Sequence, residues 1–483
     1  MRRTLTTRRV IVVGLLATLI ACGPSAGSPP APQSSDPPMT RVPIIVDADF
    51  DLSDIAAILV LLRDPAVDVR AITIAGTGLV HCQAGRLLTR YLIDELGSPD
   101  IPFGCGREDG GADAHPFPDD WRSRADEAYG LNIPPQAEAG LPRDAVEVLA
   151  ATVESSPSAP TIVALGPLTN LEDAFAADAT LADRVAGIHA MLGTIDAPGN
   201  VFVNGLDAGD PLEWNAYADP SAVAAVFATD VPISIVPLDA TDDVPVPVDL
   251  ADRLADDHQA GGADLMYESL IRNPGRMRPE DGQQLWDELA ALTLSDSDLV
   301  AWDDAAVIAE DDGRLTRDDA GRIVRFAVSA DRAAVETGLL TALRRGEPRA
   351  TPFRLAGSLS ASFDGATCAL SGTSDETGLH VVEYEGMAGT PSGIAIVGVR
   401  PPYRWEQLLV LLPTLDPTVA PPDWVVAGPV ADDQAGTGQP VTGAGDLDEG
   451  TYGPVCFTGT WPDLVYTVGI PFQAGAGAVG AAQ

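Results

Sequence analysis

Four aspartates, at positions 47, 49, 51 and 54, crowd into eight residues of the stretch Ile45-Val46-Asp47-Ala48-Asp49-Phe50-Asp51-Leu52-Ser53-Asp54. Carboxylates packed this closely repel one another, so they must hold protons above their usual range or share a cation. A cation held by carboxylate oxygens alone is a hard one, such as calcium or magnesium. A plainer reading has the acids capping a helix that begins near Ser53 and complementing its dipole. Capping accounts for one or two of them and not for four.

The elements around the cluster say where it must sit. An apolar run, Val42 to Val46, leads into it, and a helix is expected from Asp54 to Arg63. Strand, loop and helix in that order place the acids in the crevice beyond the carboxyl end of a strand, where open α/β sheets bind ligands. Further β-rich runs follow at Val69–Ala75, Thr161–Leu165, Ile188–Leu192 and Val231–Pro237, with helix-period segments such as Ala84–Leu96 and Pro220–Ala228 between them. This alternation predicts an α/β unit over residues 43–347, a mostly parallel open sheet flanked by helices. Beyond it, over 350–483, short apolar runs such as Ile394–Val399 and Gln407–Leu412 alternate with Gly, Pro, Asp and Thr turns. That texture predicts a small all-β domain, a sandwich, ending in a frayed Gly/Ala-rich segment from Gln473 to Gln483.

Composition removes several functions. The 483 residues carry 70 acids and 29 bases, a net charge of −41, which repels phosphate backbones and argues against a nucleic-acid partner. Every one of the 29 bases is arginine. Schiff-base, P-loop and general-base lysine chemistry are therefore excluded.

The amino terminus reads as a targeting segment. Arg2, Arg3, Arg8 and Arg9 precede an apolar stretch from Val10 to Ile20 that is too short to span a bilayer. Leu19-Ile20-Ala21-Cys22 resembles a bacterial lipobox, so residues 1–22 are expected to be a lipoprotein signal with Cys22 lipidated at the membrane surface. Export by the general or the twin-arginine route stays open. Residues 23–42, rich in Pro, Ser and Gly, are expected to be a flexible tether. Outside the cytoplasm, Cys82, Cys105, Cys368 and Cys456 permit two disulfides, most economically Cys82–Cys105 and Cys368–Cys456. Two buried free thiols are the alternative for the first pair.

The aspartate cluster resembles the amino-terminal Asp-x-Asp-x-x-x-Asp-Asp signature of the inosine–uridine-preferring nucleoside hydrolases. Asp47, Asp49 and Asp54 match three of its acids; Ser53 stands at the fourth, and Phe50-Asp51 replaces the usual Pro-Gly. The likeness continues in order over most of residues 43–345. It includes Ala71-Ile72-Thr73-Ile74-Ala75-Gly76-Thr77, Ala164-Leu165-Gly166-Pro167-Leu168-Thr169-Asn170, Met191-Leu192-Gly193, Gly199-Asn200, Glu213-Trp214-Asn215 and Leu285-Trp286-Asp287.

That resemblance implies calcium-dependent hydrolysis of the N-glycosidic bond of a nucleoside to free base and pentose, in a protein that forms a homo-oligomer. Calcium would be held by Asp49, Asp54, Asp287 and the backbone carbonyl of Leu165. Asp49 would also be the general base, with Asp47 supporting it from behind. Sugar and base would meet Ser53, Thr77, Met191, Asn200, Glu213, Trp214 and Asn215, with Ser53 standing where relatives bind the 2′-hydroxyl. Trp286 occupies a position where several relatives carry a histidine. Leaving-group activation then falls to His115, in a lid segment, as proton donor, or to Trp121 and Trp286 by stacking on the base. Two rival readings are a non-hydrolytic nucleoside- or sugar-binding lipoprotein, and a haloacid-dehalogenase-like phosphatase. The phosphatase normally needs a lysine, which this chain lacks.

Overall fold

The first strand, β1 (Val42–Ala48), has six of its seven residues buried, because sheet lies on both edges and helices on both faces. Such a strand reads as a continuous apolar run rather than an alternating one. In this computed structural model, residues 41–98, 100–111, 113–134, 143–279, 282–372, 376–412, 421–459 and 464–475 are described. The expected signal segment with Cys22 and all of the tether up to residue 40 lie outside the described residues.

Parallel neighbours flank β1: β2 (Val67–Ile74) on one side and β4 (Thr161–Ala164) on the other. Beyond β2 lies β3 (Phe103–Cys105). Beyond β4 come β5 (Gly187–Ala190) and β6 (Ile233–Ile235). The far edge is made by β7 (Val300–Ala309), β8 (Leu315–Arg317) and β9 (Arg322–Ala330), in the sheet order β3-β2-β1-β4-β5-β6-β9-β7-β8. All pairs are parallel except β9–β7 and β7–β8. The sheet is thus mostly parallel, with an antiparallel edge the sequence reading did not place. The strand order turns back between β1 and β4, so their carboxyl ends form the crevice where such sheets bind ligands.

Helix Leu52–Leu61 is buried along its whole length, packed against helix Trp286–Thr293. It begins two residues before the expected Asp54, with Asp51 at its N-cap. A disulfide joins Cys82, at the start of helix Cys82–Glu95, to Cys105 at the end of β3.

After helix Arg332–Leu343 the chain enters two β-sheets. One contains β10 (Gly357–Phe363), β11 (Cys368–Gly372), β12 (Gly378–Glu385) and β15 (Val441–Leu447). The other contains β13 (Ser392–Val399), β14 (Val425–Asp433), β16 (Gly450–Thr458), β17 (Val465–Val468) and β18 (Phe472–Ala474). Side chains of both sheets, among them Leu359, Val382, Tyr384, Ile394 and Ile396, share one apolar core, the arrangement of a sandwich. The Cys368–Cys456 disulfide ties β11 in one sheet to β16 in the other. Two expectations fail here. Gln407–Leu412, read as a β-run, belongs to helix Trp405–Leu411, which buries Trp405 and Leu408 at helical spacing. Gln473 and Ala474, read as part of a frayed end, pair with β16 in β18.

A chain of charges holds the sandwich to the α/β unit. Arg349, between the two, donates to Glu95 (2.8 Å), Asp264 (3.0 Å), Glu268 (3.0 Å) and the Tyr91 hydroxyl (2.6 Å). Glu268 also receives Arg272 (3.1 Å), which reaches Asp446 of β15 at 2.9 Å. Arg278 donates to the Thr442 carbonyl of the same strand at 2.9 Å. Removing the shared cation leaves buried carboxylates facing each other. Arg349→Met is therefore expected to cost about 3–5 kcal/mol, read as a lowered urea midpoint; an unchanged midpoint would contradict the buried network.

Candidate functional site

At the carboxyl ends of β1 and β4 opens a cavity of about 640 Å³, within the range of small-molecule sites. Its floor is acidic: Asp49, Asp51, Asp54, Asp287 and Glu213 all line it, beside Leu165. The local backbone explains the crowding. β1 ends at Ala48, and Phe50, fully buried, adopts φ +64°, a region bulky side chains avoid and surrounding packing must impose. The turn sends the chain directly into helix Leu52–Leu61, and Asp51 and Asp54, three apart, share a helical face. Backbone presses on Asp49 from two sides: a Cβ at Gly78 would lie 2.3 Å, and one at Gly166 2.9 Å, from the Asp49 Cβ.

Each acid has its own partners. Asp54 accepts from the backbone N–H of Asp49 (3.3 Å) and of Asp51 (2.9 Å), one to each oxygen. Asp49 Oδ2 accepts from Leu79 N–H at 3.1 Å. Burial raises Asp49 to about 7, against the lowering effect of its hydrogen bond with Asp54. Burial, then the charges of Asp287, Asp49 and Asp51, push Asp54 well above the carboxylate range. Asp287, in the first turn of helix Trp286–Thr293, is likewise raised by burial and then by Glu288, Asp51 and Asp49. Asp47 lies behind the pocket wall, where one oxygen accepts from Thr73 Oγ1 (2.6 Å) and Asn170 Nδ2 (2.7 Å). Burial lifts Asp47 to about 6.

The donor set suits a hard divalent cation. One Asp287 oxygen is buried without a hydrogen-bond partner, and raised carboxylates surround it. With the Leu165 carbonyl, the three carboxylates of Asp49, Asp54 and Asp287 offer only oxygen to one pocket. Among the described residues no three carboxylate, imidazole or thiolate groups close on a single point, so the set lines the pocket rather than enclosing an ion.

The other expected contacts divide into those on the pocket wall and those off it. Glu213, Asn215, Asn200, Met191, Trp214, Trp121 and Trp286 all line the cavity. Several also hold the wall together. Glu213 caps the helix Trp214–Ala218 by accepting from Asn215 N–H (2.8 Å) and Ala216 N–H (3.2 Å), and it accepts from Gly193 N–H at 2.8 Å. Asn215 Nδ2 donates to the Leu165 carbonyl (2.9 Å) and the Met191 carbonyl (3.1 Å), joining the ends of β4 and β5. Asn200 Oδ1 accepts from Trp214 N–H at 3.2 Å. Trp214 stacks on Phe117 at 4.7 Å and lies 5.3 Å from Trp121.

Ser53, Thr77 and His115 are corrected by the structure: none of them lines the cavity. Ser53 sits one helical step behind Asp54, turned inward and fully buried. Its Oγ donates to Glu288 Oε2 (2.5 Å) and accepts from Asp287 N–H (2.9 Å). Thr77 Oγ1 bonds to Thr169 Oγ1 at 2.7 Å, and the Thr169 hydroxyl donates to Asp219 Oδ2 at 2.7 Å, a chain inside the core. His115 is stacked on Tyr217 at 4.0 Å with Nδ1 3.0 Å from the Tyr217 carbonyl.

Residues that the sequence reading left out of the site also line the pocket: Asp51, Phe117, Arg124, Tyr129, Phe202 and Arg276. Asp51 carried a signal, its place in the quartet three residues before Asp54. Arg276 carried none, because its partner Glu288 is defined only by the packing of helix Trp286–Thr293 on the helix Leu52–Leu61. Tyr129 is raised well above the ordinary phenol range by burial and then by the charges of Asp51, Asp49 and Asp54.

Residues 44–338 match the family model described as inosine-uridine preferring nucleoside hydrolase. The chain is 29% identical to uridine nucleosidase 1 of Arabidopsis thaliana over 198 residues, 41% of this chain and 56% of that protein. It is 32% identical to the pyrimidine-specific ribonucleoside hydrolase RihA of Citrobacter koseri over 207 residues, 41% of this chain and 61% of that one. The matched stretches thus span between half and two thirds of these curated relatives. The fold superposes on an inosine-uridine preferring nucleoside hydrolase from Bacillus anthracis with a TM-score of 0.54 at 22% identity, covering 63% of this chain and 99% of that one. A plant nucleoside hydrolase gives the same TM-score at 25% identity, covering 64% and 99%.

Two outcomes follow from the site. In metal-free protein the folded state keeps protons on Asp49 up to about pH 7, and on Asp54 and Asp287, whereas the unfolded chain releases them near pH 3.9. Their stabilisation is complete below the unfolded value and is lost as pH rises through the folded one. Buried His189, lowered to about 4 by desolvation, slopes the other way only below its unfolded value near 6.5. Chelator-treated protein should therefore show a falling Tm from pH 6.5 to 8; a rising Tm would count against the protonated cluster. Separately, Ser53→Ala removes a donor from buried Glu288 and should cost about 1–3 kcal/mol in denaturant unfolding, whereas a serine facing the pocket would cost almost nothing.

Proposed function

The chain belongs to the inosine-uridine preferring nucleoside hydrolase family, and we propose that it hydrolyses the N-glycosidic bond of nucleosides to free base and pentose, with calcium bound at the acidic floor. One observation carries this reading. Three buried carboxylates from two distant segments, Asp49, Asp54 and Asp287, line a single aromatic-walled cavity together with Leu165.

The calcium held by Asp49, Asp54, Asp287 and the Leu165 carbonyl would lower the pKa of a bound water and offset the carboxylate charge. The chain's own residues supply the rest. Asp49, held against Gly78 and Gly166, takes the proton of the attacking water. The remaining negative charge of the floor favours the oxocarbenium-like sugar as the bond to the base breaks. Asn200, Glu213 and Asn215 line the cavity where the sugar would lie. Trp121 and Trp286 offer faces on which the departing base stacks, a role that does not fall to His115 with its ring against Tyr217.

Export and lipid anchoring through Cys22 belong to the same proposal. The Cys82–Cys105 and Cys368–Cys456 disulfides support it, since such bonds persist in oxidising compartments.

Reducing-sugar release from ribo- and deoxyribonucleosides, with and without chelator, tests the reading. Release that chelator abolishes and calcium restores is expected, together with a loss of about 10²–10⁴-fold in kcat for Asp49→Asn. No release from any nucleoside by calcium-loaded protein would overturn it in favour of a binding protein.

A further inference from the structure

The acids of the pocket differ in what their oxygens already hold. Asp54 spends one on each of two backbone N–H groups, Glu213 holds three backbone N–H groups, and Asp49 is bound to Leu79 beside its proton-accepting role. Asp287 keeps one oxygen without a hydrogen-bond partner and belongs to the proposed cation set. Asp51 is different. It is half-buried on the pocket wall, and a carboxylate has about four acceptor positions. Its side chain faces the Asp54 N–H in a capping-box arrangement and receives one long hydrogen bond, from the Tyr129 hydroxyl at 3.4 Å. Acceptor capacity is left over toward the cavity.

Tyr129 is placed with equal care. It and Ala128 are consecutive residues in the left-handed region, at φ 52° and 50°. Backbone strain of this kind persists only where the surroundings impose it. Asn273 Nδ2 donates to the Tyr129 carbonyl at 3.0 Å and pins the turn. The result is a carboxylate and a phenol side by side on the wall, one accepting and the other both donating and accepting. Two adjacent hydroxyl groups need that combination.

We propose that Asp51, paired with Tyr129, recognises the vicinal hydroxyls of the pentose, so that sugar discrimination resides two residues before Ser53. The assignment rests on the hydrolase reading above and adds a specificity-determining pair to it. Ser53, committed to Glu288 and the Asp287 N–H, has no part in it.

The test compares kcat/KM for uridine, 2′-deoxyuridine and 3′-deoxyuridine in the calcium-loaded wild type, Asp51→Asn and Tyr129→Phe. Both variants keep the shape of the side chain, and the Tm of each reports its folding. Asp51→Asn is expected to lower kcat/KM for uridine at least a hundredfold and to bring at least one ribo-to-deoxy ratio at least tenfold closer to one. Tyr129→Phe is expected to shift the same ratio in the same direction. A uniform loss on all three substrates, or ratios that move less than tenfold in Asp51→Asn, overturns the assignment while leaving the hydrolase standing. A wild type that cleaves none of the three overturns the hydrolase reading and this pair with it.

Discussion

The buried negative charge at the ends of β1 and β4 is the constraint around which the rest of the structure is arranged. Asp47, Asp49, Asp54, Glu213, Asp287 and Glu288 are all buried, and each unpaired ion there costs several kcal/mol. The fold answers each charge differently. Backbone N–H groups surround Glu213 and Asp54, Thr73 and Asn170 hold Asp47, and Arg276 neutralises Glu288. Asp49, Asp54 and Asp287 crowd one another, and burial with mutual repulsion raises all three. Their protonation is therefore linked to stability.

The same economy explains the neighbouring residues. Ser53 is a hinge between two helices, receiving the Asp287 N–H and donating to Glu288. It fixes helix Trp286–Thr293 against helix Leu52–Leu61, and with it the distance from Asp287 to Asp54. Asn215 does comparable work on the other wall, tying the carbonyls at the ends of β4 and β5. Asn215 and Glu213 both line the cavity and hold its wall in register.

Much of the architecture was legible because parallel strands bury both faces and so announce themselves as apolar runs. β1, β2, β4, β5 and β6 all fall within or beside such runs, and the acid quartet falls at the switch point they define. What could not be read were the features set by packing at a distance. The phase of the first helix depends on its N-cap being Asp51, and that phase decides which of positions 51, 53 and 54 see the cavity. Glu288, the partner of Ser53, lies 235 residues away in sequence. Strand β7, between β9 and β8, mixes buried and exposed positions without a clean alternation and contains Asp303 and Asp304, so no period marks it. A six-residue apolar run such as Gln407–Leu412 fits a strand or a helix equally well until its neighbours are known.

The sandwich grips the α/β unit through β15, whose Asp446 and Thr442 hold Arg272 and Arg278. Those two arginines bracket Asn273, Gly275 and Arg276, which belong to the cavity wall. One side of the cavity is thus clamped from outside its own sheet, much as a buttress carries a wall that its own foundation does not. A chain ending near Arg349 would keep every acid of the floor and lose the brace of the wall opposite them. The carboxyl-terminal region is in this sense part of the cavity although, among the described residues, it contributes no side chain to the lining.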